Sequence, residues 1–355
     1  MTSPGGMTAT PDPADYVVAG PTIYDVARAA GVAASTVSRA FSDPSRVSAA
    51  TRQHILSVAR ELGYRPDPYR RSALSRRTHA IGMVVSDITN PFYFELVRGA
   101  ESRAKVSNYT LVLINAGESP RIEYDSIQRI ARSVDGFLLA ASRLPDENLL
   151  EFASMRPLVL MNRELPGLPS VILDYGQGCR RIVEHLASLG HRSVVYLAGP
   201  RNSWTAAQRW RSIRGACERL GIEAGRIGYF TPTVANGRAA AEATLHVDAT
   251  AVVAHNDLLA IGVLRRLAEK GLCVPGDISV VGFDNIFAAD LCTPALTTLG
   301  GAHADVGRLA VELLLDKTKV VGKPSEGIPR LVLPSRLYLR SSTGVVRRRN
   351  RMATH

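Results

Sequence analysis

Seven short aliphatic runs, separated by stretches with apolar residues at helical spacing, constrain the fold of this chain more than any other feature. The runs are AIGMVVS (80–86), TLVLIN (110–115), VDGFLLA (134–140), PLVLM (157–161), SVVYLA (193–198), TAVVAH (250–255) and ISVVGF (278–283). They are too continuously apolar for half-solvated strands and too short for helices, so they read as strands buried on both faces. Around residues 92–107, 177–189, 206–220, 258–270 and 305–315 the apolar side chains recur at the spacing of one helix face. Strands and helices in alternation bury each other when the strands run parallel and the helices cross over the sheet. Residues 80–344 therefore read as doubly wound parallel α/β structure.

A different pattern precedes it. Thr22 followed by Asp25 has the form of a capping box, and Ile23, Val26, Ala27 and Ala30 then form one face of a short helix that Gly31 stops. A second helix turns Val37, Ala40 and Phe41 inward. A third starts at Ser48 as N-cap, carries Ile55, Leu56, Val58, Ala59 and Leu62 at helical spacing, and ends at Gly63. Two short helices across a glycine-containing turn make a helix-turn-helix, whose second helix is free to enter a major groove. Charge agrees with that reading. Residues 22–79 hold ten Arg against Asp25, Asp43, Glu61 and Asp67, and a basic tail (345–355) holds four more Arg in a chain of net charge +11. A basic head on a near-neutral body is the footprint of a phosphate-binding module.

Composition bounds the alternatives. A chain of 355 residues, 46% hydrophobic and 21% charged, suits two or three soluble globular domains. Residues 1–21 are rich in Pro, Gly, Ala and Thr and lack the basic start and apolar stretch of a secretory signal, so they read as a flexible leader. No apolar run approaches the ~18 residues of a membrane span. Cys179, Cys217, Cys273 and Cys292 are far apart, with no CxxC pair, which suits free thiols in a cytoplasmic protein. His185 and His191 flank LASLG without zinc-ligand spacing, and neither a Gly-x-Ser-x-Gly elbow nor a phosphate loop is present. The expectation is a protein that is not an enzyme, with no cofactor and no metal. A secreted sugar-binding protein would share the α/β pattern but needs a signal peptide and no helix-turn-helix.

The segment TIYDVARAAGVAASTVSRAFSDPSRVSAATRQHILSVARELGYRP (22–66) closely resembles the DNA-binding head of the lactose-repressor family. The resemblance continues in order through THAIGMVVSDITNPFY (78–93), LVLMNRELPGLPSV (158–171), LGHRSVVYLAGP (189–200), AHNDLLAIGVL (254–264), VPGDISVVGFDN (274–285), TPALTTL (293–299) and LRSSTG (339–344). It implies an all-α helix-turn-helix head followed by a two-lobed body like a periplasmic binding protein. Three crossovers, placed near Tyr175, Gly300 and Pro334, divide the body into lobe 1 (about 80–174 and 302–332) and lobe 2 (about 176–299 and 335–343). The implied protein is a sequence-specific transcription regulator, a repressor, acting as a homodimer on a near-palindromic operator in double-stranded DNA. A sugar or nucleoside bound between the lobes controls its operator affinity; a partner protein as the signal stays open, because the fold does not fix the ligand.

Carried over by position, Ala34, Ser35 and Arg39 face base edges, while Thr36, Ser38, Ser48 and Tyr64 touch phosphates. Ala33 departs from the family, which has Ser capping the second helix. Residues 67–79 become a hinge in which Arg71 meets the DNA backbone and a minor-groove wedge falls on Ala73 or on Leu74, or is absent. In the cleft, the resemblance implies that Phe92, Tyr93, Asn162, Asn256, Asp284 and Arg209 meet the effector, with Trp204 as a stacking surface. Arg209 is read as the clamp on effector oxygens, since a buried guanidinium demands a partner. Gly300, Gly301 and Ala302 stand where polar residues are common in the family, which predicts a smooth, roomy cleft wall.

Overall fold

The computed structural model describes residues 21–42, 46–64, 77–319 and 328–346. It divides into a unit ending at residue 76 and a second beginning at residue 77. Arg71, Ala73 and Leu74 of the expected hinge lie outside the described residues.

The first unit contains α1 (Ile23–Ala29), α2 (Ala34–Ser42) and α3 (Ala49–Glu61). Asp25 starts α1 by accepting from the backbone N–H of Thr22 at 2.8 Å and from its hydroxyl at 2.6 Å. Gly31, at φ +66°, turns the chain from α1 toward α2 in the left-handed region that a side chain would disfavour. Val26, Val37, Ala40 and Ile55 are fully buried between the three helices. Arg52 of α3 donates to the carbonyl of Ala40 at 3.3 Å and ties the third helix to the second. Leu62 departs from its expected inward place: it follows the end of α3, where Gly63 turns at φ +70°, and is 39% exposed. Tyr64 packs there instead, its ring centroid 6.0 Å from that of Phe41.

The second unit has strands β1 (Ala80–Val85), β2 (Thr110–Asn115), β3 (Gly136–Ala140), β4 (Leu158–Met161), β5 (Ser170–Leu173), β6 (Ser193–Leu197), β7 (Glu223–Ile227), β8 (Ala251–Ala254), β9 (Ser279–Phe283), β10 (Thr297–Gly301), β11 (Arg330–Leu333) and β12 (Ser335–Tyr338). Its helices are α4 (Phe92–Val106), α5 (Pro120–Ile130), α6 (Asp146–Met155), α7 (Tyr175–Ser188), α8 (Trp204–Leu220), α9 (Val234–Leu245), α10 (Asp257–Glu269), α11 (Ala288–Leu291) and α12 (His303–Lys319). One sheet runs β11-β5-β4-β3-β1-β2 and is parallel throughout. The other runs β12-β10-β9-β8-β6-β7, parallel except for the antiparallel pair β10–β12. The chain passes between the sheets from β5 into α7, from β10 into α12, and across Pro334 between β11 and β12.

Central strands β1, β3, β4, β8 and β9 are buried almost throughout. The run TLVLIN is the exception to its reading as a buried strand. As β2 it is the outer strand of its sheet, paired only with β1, and Val112 and Leu113 are 37% and 38% exposed. Helices α4 and α12 lie against each other on one face of the first sheet, and two glycines set their separation. A Cβ on Gly99 would fall 1.8 Å from the carbonyl oxygen of Ala304, and one on Gly307 2.1 Å from that of Leu96. Arg103 and Glu312 close the same pair of helices with an ion pair at 3.1 Å.

Candidate functional site

In the first unit, α2 presents Ser35 and Arg39 outward, one helical turn apart on one exposed face. Thr36 and Ser38 are half-buried beside them, and Ala34 packs partly against the small core, so its methyl is only partly available. Ser48 caps α3 by accepting from the N–H of Thr51 at 3.2 Å. An Arg exposed on a helix face can donate two hydrogen bonds to a guanine edge, whereas Ser offers a hydroxyl alone.

In the second unit, the loops leaving the carboxyl ends of β1, β3, β4, β8 and β9 converge between the two sheets, where ligands of open α/β sheets bind. Phe92, Tyr93, Asn162, Arg209, Asn256 and Asp284 all line one cavity there, of about 30 Å³. That is room for roughly two waters, so a larger guest requires the lobes to part.

Arg209 holds the lobe 2 wall together. Its side chain is 4% exposed, donates to Asp284 Oδ1 at 2.8 Å and to the Tyr175 hydroxyl at 3.3 Å, and also donates to the His255 carbonyl. The guanidinium lies 4.2 Å from the Phe283 ring centroid and 4.7 Å from that of Tyr175. Burial opposes the charge of Arg209, but Asp284 more than restores it, and its pKa is raised. Most of its donors are thus satisfied within the protein, which corrects the inference that burial alone marks it as an effector clamp. Only Nε lacks a partner. Asp284 sits at φ +102° and Asn285 at φ +52°, a strained turn that Arg340 braces by donating to Asn285 Oδ1 at 2.8 Å. Behind it the buried Asp257 accepts from Thr298 Oγ1 at 2.6 Å and from the Ile286 N–H at 2.9 Å. Burial and the nearby Asp284 push its pKa well up. His255 bonds to Tyr196 through Nδ1 at 3.0 Å, and burial, reinforced by Arg209 and Arg143, holds it neutral.

The opposite wall belongs to lobe 1. Arg143 makes a two-pronged pair with Glu118 at 2.7 and 3.2 Å, so each lobe brings one arginine–carboxylate pair to the cavity. Asn162 follows β4 at φ +52°, is 1% exposed, and neither its side-chain oxygen nor its nitrogen has a partner. Asn256 is more committed: it caps α10 by accepting from the Leu259 N–H at 3.0 Å and donates to the Pro232 carbonyl at 3.2 Å. Phe92 and Tyr93 pack edge to face at 4.9 Å.

Two expectations need correction. Trp204 does not join the others; it lines a separate groove of about 260 Å³ with Asp174, Gln208 and Arg330. Five residues separate it from Arg209 on α8, roughly 140° around the helix. Gly300 and Gly301 do not open the wall either. A Cβ on Gly300 would lie 2.5 Å from Asn285 Cβ, and one on Gly301 2.7 Å from the Leu173 side chain, so the missing side chains allow close packing at the crossover. Sequence reasoning missed Arg143, Glu118, Tyr175 and His255 as cavity residues. Arg143 and His255 follow strands that the hydrophobic pattern had already marked, so the strand-end rule could have found both.

A neutral cavity with paired donors and acceptors on both walls suits uncharged hydroxyls, each of which donates and accepts.

The comparisons with known proteins agree with both units. Residues 22–67 match the family described as bacterial regulatory proteins, lacI family, and residues 183–343 match the periplasmic binding protein-like domain. The HTH-type transcriptional repressor CytR of Escherichia coli (strain K12) is 35% identical over 304 residues, covering 83% of this chain and 89% of the relative. The structure of the transcriptional regulator CelR–cellobiose complex superposes with a TM-score of 0.66 at 31% identity, over 91% of this chain and 99% of that one. The lac repressor dimer bound to operator and the anti-inducer ONPF superposes with a TM-score of 0.71 at 28% identity, over 92% and 100% of the two chains. A helix-turn-helix head, a body of two parallel α/β sheets and this relatedness along most of its length place the chain in the lacI family of bacterial transcription regulators, which are not enzymes.

Proposed function

We propose that this protein is a repressor that reads a near-palindromic operator as a homodimer and changes its operator affinity when a neutral polyol, a sugar or nucleoside, binds between its lobes. The observation that carries the reading is Asn162: a side chain 1% exposed, with both polar atoms unpartnered, on the wall of the inter-lobe cavity. Leaving such groups unsatisfied costs about 1–3 kcal/mol, a cost that ligand hydroxyls would offset. CelR with cellobiose and the lac repressor on its operator support the two halves of the reading. In the head, Ser35 and Arg39 read bases while Thr36, Ser38, Ser48 and Tyr64 hold phosphates.

The test is an operator mobility-shift titration with and without members of a sugar and nucleoside panel. The cognate effector should change the affinity by about 5- to 150-fold. Asn162→Gly, which tolerates the φ +52° of this position, should keep the ligand-free operator affinity while losing the response. An undiminished response in that variant would remove Asn162 from the effector site, and silence across the whole panel would reject the sensor reading.

A further inference from the structure

The groove that Trp204 lines has walls from both lobes. On the lobe 2 side Trp204, Gln208 and Ser212 follow one another at single-turn spacing along α8. Thr205 and Arg209, on another face of the same helix, line the central cavity instead. On the lobe 1 side stand Arg330 and Val332 of β11, with Glu164 from the loop after β4. Asp174, at the crossover from β5 into α7, lies between the two. The volume of about 260 Å³ is just under the ~300 Å³ at which small-molecule pockets begin, so the space suits a compact molecule of one or two rings.

Trp204 and Val332 supply apolar contact. Trp204 is half-buried and, unlike Trp210, which stacks on Tyr196 with ring centroids 6.2 Å apart, has no ring against it among the described residues. Val332 is 42% exposed on the edge strand of its sheet. A flat apolar group in the groove takes both away from water. The charge there is negative. Arg330 is engaged by Glu164 at 2.7 Å, which leaves Asp174 as the uncompensated charge among the lining residues. Asp174 caps α7 by accepting from the Gln177 N–H at 2.9 Å through Oδ1, and a carboxylate can accept further donors. The exposed Arg211 is tied to Gln208 Oε1 at 3.0 Å and does not line the groove. An ammonium suits such a place twice, since it pairs with a carboxylate and is drawn to the face of an indole.

We infer that this groove is a second ligand site, for a small aromatic amine in its cationic form. The ring lies against Trp204 and Val332, and the ammonium pairs with Asp174. Because the walls belong to different lobes, an occupant favours one separation of α8 from β11 and thereby biases the arrangement of the lobes. The coupling to DNA rests on the proposed operator function; the binding does not.

The experiment is calorimetric titration of the full-length protein with three molecules that share one ring: tryptamine, tryptophol and indole-3-acetate. Tryptamine should bind about fivefold or more tightly than tryptophol, and indole-3-acetate should bind weakest. Asp174→Asn keeps an oxygen to cap α7 but removes the charge, and should bring tryptamine to within about twofold of tryptophol. Val332→Trp, a change at an exposed edge position, should fill the groove and abolish binding of both. The site is overturned by no binding of tryptamine, by indole-3-acetate binding as well as tryptamine, by a preference that survives Asp174→Asn, or by binding that survives Val332→Trp. In an operator mobility shift, saturating tryptamine should change the affinity about fivefold or more. Tryptamine bound with the operator affinity unchanged would overturn the coupling and leave the site standing.

Discussion

The Arg209–Asp284 pair can be probed by neutralising each partner in turn and then both. The two side chains are 4% and 7% exposed, so water screens them little. Asp284→Asn keeps the shape and an acceptor oxygen for Arg209, but removes the only negative charge paired with the buried guanidinium among the described residues. Arg209→Met keeps much of the apolar contact with Phe283 and Tyr175 and strands the carboxylate. Breaking a buried pair on one side costs about 3–5 kcal/mol, whereas removing both charges costs far less. Each single variant should therefore melt roughly 6–20 °C lower, at about 2–4 °C per kcal/mol for a body of this size. The double variant should recover at least half of the summed loss. Urea unfolding followed by tryptophan fluorescence suits the measurement, because Trp204 and Trp210 both lie on α8 with Arg209. Single effects that simply add, with a coupling below about 0.5 kcal/mol, would show that the two groups do not form a buried pair.

Arg39→Ala should weaken operator binding by about 1–3 kcal/mol and relax discrimination at one base position per half-site; equal losses on operator and random DNA in a competition assay would refute base contact. Gly307→Ala drives a Cβ into the Leu96 carbonyl and should cost about 1–3 kcal/mol or more, visible as a lower melting temperature; an unchanged one would mean that α4 and α12 can separate freely. His255 is held neutral well below 6.5, so the unfolded chain takes up its proton first as pH falls through that value. Stability then drops by up to about 1.4 kcal/mol per pH unit. The buried Asp257, with its raised pKa, works in the opposite direction, so the comparison is with His255→Gln, whose stability between pH 7.5 and 5.5 should fall less steeply by about one proton. For the hinge, we propose a wedge at Ala73 or Leu74: Ala73→Leu should increase operator bending if Ala73 is the wedge, and Leu74→Ala should abolish it if Leu74 is, in gel-based bending assays.

The strands buried on both faces were legible because continuous runs such as GFLLA and AVVA admit few other readings. The strands that escaped were the polar or short ones. EAGRI of β7 lies at an edge, and RLVL and SRLY each have a partner on one side only. In the cleft, position relative to a strand end was readable, so Asn162, Asn256 and Asp284 could be placed from sequence alone. What side chains do with one another was not. The internal partners of Arg209 come from α7, α10's leading loop and the turn after β9, which lie far apart in sequence. Trp204 failed for a simpler reason, since nearness along a helix does not put two residues on the same face.

Pro334 alone separates β11, the last strand of one sheet, from β12, the last strand of the other. Successive Cα atoms lie about 3.8 Å apart, so at this crossing the two sheets cannot slide past each other without unzipping a strand. The proline ring also fixes its own φ near −65°, which leaves the flanking torsions to absorb any motion. This crossing favours pivoting of the lobes over sliding, so the effector proposed for the cleft would be registered as a change of angle between the two halves.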